Sequence, residues 1–281
     1  GGQGMATILI TGTSGLIGNA LANHLASQHT VIAFTRNPKN PNGAINITGD
    51  FTKSEDLKKL NDYQIDLLVH LGAITGTGFE TDCFRTNVLG THQLLRYLID
   101  QKCKKFVLAS SIAATGTLCK SFQPLKLPIP DDHPCLDEKG YGMSKYMMEE
   151  VTKYHSRQDK NLDFINIRLG SVPADTRMSP PIGLDIPEGS ITRLTVLSLN
   201  DAVNCFTLAS EAKYQPGVRI MNAVGSKSNT KEPVANIIKK LYGTAVDFSY
   251  YEQKGKEYDP IFDITKIKNE LGFIPKWKPE F

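Results

Sequence analysis

The chain has 281 residues, 40% of them hydrophobic and 22% charged, and its 32 basic side chains nearly cancel 29 acidic ones, for a formal charge of +3. That length lets roughly three quarters of the unfolded surface be buried, which excludes an array of small domains and points to one large unit with at most a small satellite. The charge balance excludes a uniform positive field for a nucleic acid or an anionic membrane, and no apolar run approaches the roughly 18 residues of a bilayer span. Five scattered cysteines, Cys83, Cys103, Cys119, Cys135 and Cys205, contain no C-x-x-C. They read as free thiols of a reducing, cytoplasmic compartment, with no disulfide frame and no metal site. Gly1-Gly2-Gln3-Gly4 reads as a tag remnant ahead of Met5, so residues 1–4 stay outside the fold argument.

Short apolar runs alternate with stretches of helical period through the first 170 residues. Buried strands are predicted at Ala6–Thr11, Thr30–Thr35, Ala44–Thr48, Leu67–Leu71, Phe106–Ser110 and Phe164–Leu169. Between them Leu16, Ile17, Ala20, Leu21 and Leu25 make one helix face. Val88, Leu94, Leu95, Leu98 and Ile99 make a second, and Tyr141, Lys145, Met148 and Thr152 a third. Repeated strand–helix–strand units imply right-handed crossovers and an α/β fold, a Rossmann-type doubly wound parallel sheet covered on both faces. After Gly170 prolines and glycines break the pattern. It returns in a helix near Asp201–Ala209 and a strand near Arg219–Ala223. The expected division is a dinucleotide-binding domain of residues 5–170 plus 194–224, with a small discontinuous substrate domain of 171–193 plus 225–281.

Gly12-Thr-Ser14-Gly15-Leu16-Ile17-Gly18 follows the first strand and opens the first helix. Glycines in that place let a backbone approach a diphosphate, and a helix N-terminus directs N–H groups at it. An acid at the end of the second strand would take the ribose 2′-hydroxyl of NAD, but no Asp or Glu occurs between Asn19 and Gly49. The strand ends in Thr35-Arg36-Asn37, and a guanidinium can hold a 2′-phosphate through two parallel bonds. NADP is therefore expected in preference to NAD.

Tyr141-Gly-Met-Ser-Lys145 puts a phenol and an ammonium on one helix face, where the cation stabilises a phenolate. With 10 tyrosines, roughly one such spacing arises by accident. The second occurrence, Tyr250 to Lys254, has no partner motif. Ser111 ends the fifth strand at the edge where a parallel sheet meets its ligand, with Ser110 and Thr115 as competitors for the role of orienting the reacting oxygen. His70 ends a buried strand and reads as structural.

These motifs together resemble the extended short-chain dehydrogenase/reductases, the NAD(P)-dependent epimerase/dehydratase family typified by UDP-glucose 4-epimerase. Gly49-Asp50-Phe51, Val69-His70-Leu71-Gly72-Ala73, Asn87-Val-Leu-Gly90-Thr91, Ile167-Arg168-Leu-Gly170, and Ile264-Thr-Lys266 with Leu271–Pro275 match family positions along nearly the whole chain. The resemblance implies that Asp50 and Phe51 contact the adenine, that Leu71, Gly72, Ala73 and Asn87 line the cofactor, and that Lys145 holds the nicotinamide ribose. It also implies a Ser111–Tyr141–Lys145 triad with hydride transfer at a sugar carbon, and a homodimer through the helices near Asn87 and Tyr141. Arg193 is the nearest match for a cation on a nucleotide-sugar diphosphate, with Arg177 and Arg219 as alternatives. Three activities follow as expectations: an oxidoreductase or epimerase of a nucleotide sugar; a reductase of a non-sugar carbonyl or dehydrogenase of a free sugar acid; and, in another class, a cofactor-sensing regulator without chemistry.

Overall fold

The computed structural model describes residues 4–74, 79–174 and 177–280. The strands are β1 (Thr7–Thr11), β2 (Thr30–Thr35), β3 (Ile45–Thr48), β4 (Leu67–His70), β5 (Lys105–Ser111), β6 (Asp163–Leu169) and β7 (Gly217–Ala223). They pair in parallel in the order β3-β2-β1-β4-β5-β6-β7. The helices are α1 (Leu16–Leu25), α2 (Ser54–Leu57), α3 (Glu80–Cys83), α4 (Thr91–Asp100), α5 (Tyr141–Gln158), α6 (Leu199–Glu211), α7 (Val234–Tyr242) and α8 (Thr265–Leu271), and a π-helical turn, Phe84–Gly90, joins α3 to α4. Strand order reverses between β1 and β4. Connections leave those two strands in opposite directions and open a crevice at their C-terminal ends, where such sheets take ligands.

The inner strands are buried because helices cover both faces; β3, expected to be buried, is the edge strand next to β2, and its residues stay exposed or half-buried. Ile8, Ile10, Val69, Val107, Ile165 and Ile167 pack with Leu21 and Leu25 of α1 and with Cys205 and Phe206 of α6. Their neighbours Leu9, Leu68, Phe106, Leu108 and Phe164 face the other way, against Leu94, Leu95 and Leu98 of α4 and Met148 of α5. β5, β6 and β7 begin earlier than their apolar runs because the ladder is a backbone property: Asp163 pairs with both Lys105 and Gly217. The sixth helix begins at Leu199 because the Ser198 hydroxyl accepts from the Asp201 amide at 3.0 Å and caps it.

A further apolar cluster joins Ile112, Phe122, Leu127 and Ile129 to Ile182, Ile191, Val234, Ile237, Ile261 and Phe262. The division expected from composition is crossed by this packing. The 112–129 stretch contributes to the smaller cluster, while Ile267, Leu271 and Phe273 pack into the main sheet core. A backbone bridge between Ile129 and Phe262 draws the two stretches together, a pairing that local composition does not encode. Gly76 and Gly78, expected in a loop, lie outside the described residues. Among the described residues no helix is long and apolar enough to cross a membrane, and the five cysteines are unbridged.

Phe106 and Phe164, both fully buried, stack across β5 and β6 with centroids 4.8 Å apart. Phe164→Ala is expected to cost about 3–5 kcal/mol, read as a lower midpoint with an unchanged slope in urea unfolding.

Candidate active site

The glycine loop is shaped by backbone contacts too close for any side chain. Gly12 takes φ +74, and a Cβ there would lie 2.6 Å from the Leu71 carbonyl carbon. A Cβ on Gly18 would lie 2.2 Å from the Gly12 oxygen. The loop therefore folds flat against the end of β4 and delivers the N-terminus of α1, where first-turn amides have no partner inside the helix; Gly15 lines the crevice there, whereas Leu16, Ile17 and Gly18, also expected at the cofactor, lie outside its lining.

A buried histidine locks the two strand ends together. The Leu71 and Gly72 amides both donate to Thr11 Oγ1 at 3.1 Å, so the Thr11 hydroxyl directs its own proton to His70 Nδ1 at 2.6 Å. His70 Nε2–H then donates to Thr91 Oγ1 on α4 at 2.9 Å. Burial, with Lys145 adding repulsion, pushes His70 down to about 3, which keeps this relay neutral. The structural role read for His70 from its strand position has a definite form here.

Beside this lock lies a cavity of about 250 Å³ lined by Gly12, Ser14, Gly15, Arg36, Asp50, Phe51, Leu71, Gly72 and Ala73, together with Phe34, Thr35, Asn37, Gly49, Thr52 and Thr86. The first nine were expected from the sequence. Thr35, Asn37, Thr52 and Thr86 were not, since an isolated threonine or asparagine carries no spacing signal. Thr35 Oγ1 donates to Ser14 Oγ at 3.3 Å, and one Asp50 carboxylate oxygen accepts from the Thr52 amide and hydroxyl. Arg36 is exposed at the mouth and makes no ion pair among the described residues.

Ser111 and Tyr141 meet at the C-terminal end of β5. Asp137 sets the start of the helix that carries the tyrosine: its Oδ2 accepts from the amides of Gly140 (2.8 Å), Met143 (2.9 Å) and Lys139 (3.2 Å). Gly142 lets that turn press on the Ala113 carbonyl, which a Cβ would approach to 2.1 Å. Burial raises the Tyr141 phenol above its ordinary value, a hydrogen bond with Ser111 opposes the rise, and the Cys83 thiol adds to it. Lys145 donates to the Ala109 carbonyl at 2.8 Å, and its Nζ lies 6.0 Å from the centre of the Tyr141 ring. Burial brings this lysine down to about 8, against the opposing charge of Glu149. The two shifts part the phenol, raised, from the ammonium, lowered, and the pair lies one helical turn apart beside Ser111, an arrangement able to relay a proton.

Four expectations fare differently. Ser110 is buried and donates to Glu149 Oε2 at 2.7 Å, and Thr115 is buried and donates to the Ile112 carbonyl at 2.7 Å. Both protons are committed inside the protein, so neither residue is placed to meet a substrate. Asn87 is also buried, with its amide on the Ile74 backbone and on Ser144; it braces the chain leaving β4 and stands outside the cavity lining. Arg219 is paired with Asp163 at 3.1 Å and Glu270 at 3.8 Å near the start of β7, the opposite end of the sheet from the crevice, which removes it as a diphosphate ligand. Arg193 is exposed on a 3₁₀ turn, Ile191–Thr195. That turn abuts the end of β6, since a Cβ on Gly170 would lie 2.6 Å from the Thr195 oxygen.

Sheet order, glycine loop and cavity define an α/β protein of the dinucleotide-dependent short-chain dehydrogenase/reductase type. The profile of the NAD dependent epimerase/dehydratase family matches residues 8–180, and the chain belongs to that family. It is an NAD(P)-dependent enzyme by that membership. Among curated relatives it is 29% identical to a UDP-glucose 4-epimerase of Halalkalibacterium halodurans, over 96% of this chain and 91% of the relative. It is 28% identical to the UDP-glucose 4-epimerase of Drosophila melanogaster over 67% of this chain, a match that spans 59% of that enzyme's length. The solved UDP-glucose 4-epimerase of Thermotoga maritima with UDP-glucose superposes with a TM-score of 0.70 at 20% identity, covering 97% of this chain and 94% of that one. A short-chain dehydrogenase/reductase superfamily protein of Agrobacterium tumefaciens with bound NAD superposes at 0.71 and 21% identity, covering 97% and 93%.

The Lys145 ammonium makes a signed prediction. Its proton affinity is lower folded, about 8, than unfolded, 10.5. Below pH 8 both states hold the proton and the folded state bears the full penalty; the penalty is relieved as pH rises from about 8 toward 10.5. Relative to Lys145→Met, the wild-type protein should gain on the order of 3 kcal/mol across that window, measured as the pH dependence of the difference between their denaturant stabilities.

Proposed function

We propose that the chain is an NADP(H)-using oxidoreductase or epimerase that works at a hydroxyl-bearing carbon of a nucleotide-linked sugar, with Ser111, Tyr141 and Lys145 as its catalytic residues. The observation that carries this reading is the gathering of Ser111 and the Tyr141–Lys145 pair at one strand end, beside a crevice lined by the glycine loop. The bound nicotinamide supplies the hydride acceptor or donor. Tyr141 takes the proton from the substrate hydroxyl or returns it to the carbonyl oxygen, Ser111 orients that oxygen, and Lys145 stabilises the phenolate that forms.

The fit to a dinucleotide rests on atoms of this chain. Gly12 and Gly15 line the cavity at the start of α1, Asp50 and Phe51 frame its adenosine end, and Leu71, Gly72 and Ala73 form its wall. Arg36 at the mouth, without a carboxylate partner, suits a ribose 2′-phosphate. The nucleotide-sugar assignment is supported by relatives and by structural neighbours named for UDP-sugars, and Arg193, exposed at the end of β6, is the cation we assign to the diphosphate. Exposed apolar side chains on α5, Met143 and Tyr154, and on the turn before α4, Leu89, suit a second copy of the chain in a homodimer. Arg36 also favours a second reading, net reduction of a carbonyl compound. An epimerase regenerates its own cofactor and draws no benefit from the reducing pool that NADP selection serves.

Tyr141→Phe is expected to lower hydride transfer by about 10²–10⁴-fold while cofactor affinity, measured by fluorescence titration with NADPH, stays within about twofold. Full turnover in that variant excludes the assignment. Arg36→Ala is expected to lower the ratio of NADPH to NADH affinity by about tenfold or more, the loss of a charge-assisted pair; an unchanged ratio excludes the NADP preference.

A further inference from the structure

Beneath the proposed catalytic residues lies a buried ion pair to which no role has been given. Arg168 on β6 donates to both carboxylate oxygens of Glu149 on α5, Nε to Oε2 at 2.8 Å and Nη2 to Oε1 at 2.7 Å. Both side chains are essentially out of contact with water, at 2% and 0% exposure. A third donor reaches the same carboxylate: Ser110 Oγ, at 2.7 Å from Oε2. The guanidinium is steadied in turn by the His133 carbonyl at 3.1 Å. A buried pair of this kind adds little net stability over an apolar packing, so its presence calls for another account.

The position of Glu149 supplies one. Tyr141, Lys145 and Glu149 recur every four residues along one face of α5. All three reach the same three residues of β5. Lys145 donates to the Ala109 carbonyl, Glu149 accepts from Ser110, and the Tyr141 phenol faces the Ser111 hydroxyl. Moving Glu149 would move the strand end on which the lysine and the serine rest. Its charge also lies where a buried ammonium needs one.

Resting on the catalytic assignment above, we propose that Glu149, clamped by Arg168, is a positioning residue for the reaction: it holds the 109–111 strand end in register with α5 and supplies the countercharge that keeps Lys145 an ammonium. On the cavity side the pair meets Asp132, His133, Tyr146, Lys153 and Lys266, where burial lowers the His133 imidazole and raises the Tyr146 phenol. His70 on β4 stays neutral down to about 3, Tyr141 is raised above its ordinary value, and Arg168 remains charged. On the outer side Asp131 and Cys135 face Arg168, and each is raised by burial.

The test reads Lys145 without any substrate. Its titration is the pH dependence of the stability difference between a protein and its Lys145→Met version, taken in the wild-type and Glu149→Gln backgrounds. In the wild-type background the difference should begin to change at about pH 8; with Glu149→Gln the onset should fall by about one pH unit or more. The second variant, Glu149→Leu with Arg168→Met, removes the pair without leaving a lone buried charge, and it carries the test if Glu149→Gln does not fold. It should keep the fold, show a lowered onset, less so than Glu149→Gln because the arginine's charge leaves with the carboxylate, and lose about tenfold or more in hydride-transfer rate at pH 8 with cofactor affinity within about twofold. Ser110→Ala should lose rate in the same sense with the onset unmoved, separating the positional from the electrostatic part. An onset that stays at pH 8 in either charge-removing variant, or a wild-type rate in the double variant, overturns the proposal. A lowered onset in an enzyme whose unmutated form transfers no hydride would instead overturn the proposed reaction and leave the Glu149 clamp standing.

Discussion

The close approach of the β1 and β4 strand ends governs everything around it. Gly12 sits against the Leu71–Gly72 peptide at a distance no Cβ permits, and Thr11, His70 and Thr91 tie the same two ends to α4 through a relay of hydroxyl and imidazole bonds. Backbone contact alone would leave the loop free to lift, whereas a saturated buried relay costs several hydrogen bonds to open. Because the histidine is held neutral, the relay brings no charge next to the cofactor crevice. The direction of the α1 amides and the wall formed by Leu71, Gly72 and Ala73 both follow from that joint.

A second layer of the architecture concerns charge. Lys145 lies in a place that water does not reach, and burial opposes its charge. One turn further along α5 stands the Glu149 carboxylate, which is also paired with Arg168 from β6. Helix, central strand and neighbouring strand thus share one set of buried charges, and the geometry of Ser111 and Tyr141 inherits its rigidity from them. Asp137 does the corresponding work at the helix start, where three amides converge on one carboxylate oxygen and fix the turn that presents the tyrosine.

Much of this was legible in the chain. The apolar runs marked every strand to within a residue or two, and the glycine spacing after the first of them marked the crevice. The Tyr141–Lys145 spacing marked the helix face that meets the end of β5. What failed did so for identifiable reasons. Ser110 and Ser111 are adjacent in sequence, but consecutive strand residues point to opposite faces, and only the structure shows that Ser110 turns inward to Glu149. Thr115 closes its own 3₁₀ turn, and Arg219 stands at the far end of its strand, a distinction that residue type does not carry. Asp137, Glu149 and Thr11 went unnoticed because a single carboxylate or hydroxyl has no period or spacing of its own.

Sequence by itself determined the fold class, the place of the glycine loop and the tyrosine–lysine face, because each is a local pattern: a run, a turn or a helical repeat within a few residues. Tertiary structure alone decided which hydroxyls face the crevice, which arginines are already paired, and how 112–129 joins 182–262 in one apolar cluster. Those outcomes depend on contacts between residues tens of positions apart, such as Ser110 with Glu149 and Asn87 with Ser144. They are settled by the demand that every buried polar group find a partner, a condition that only the packed chain can meet.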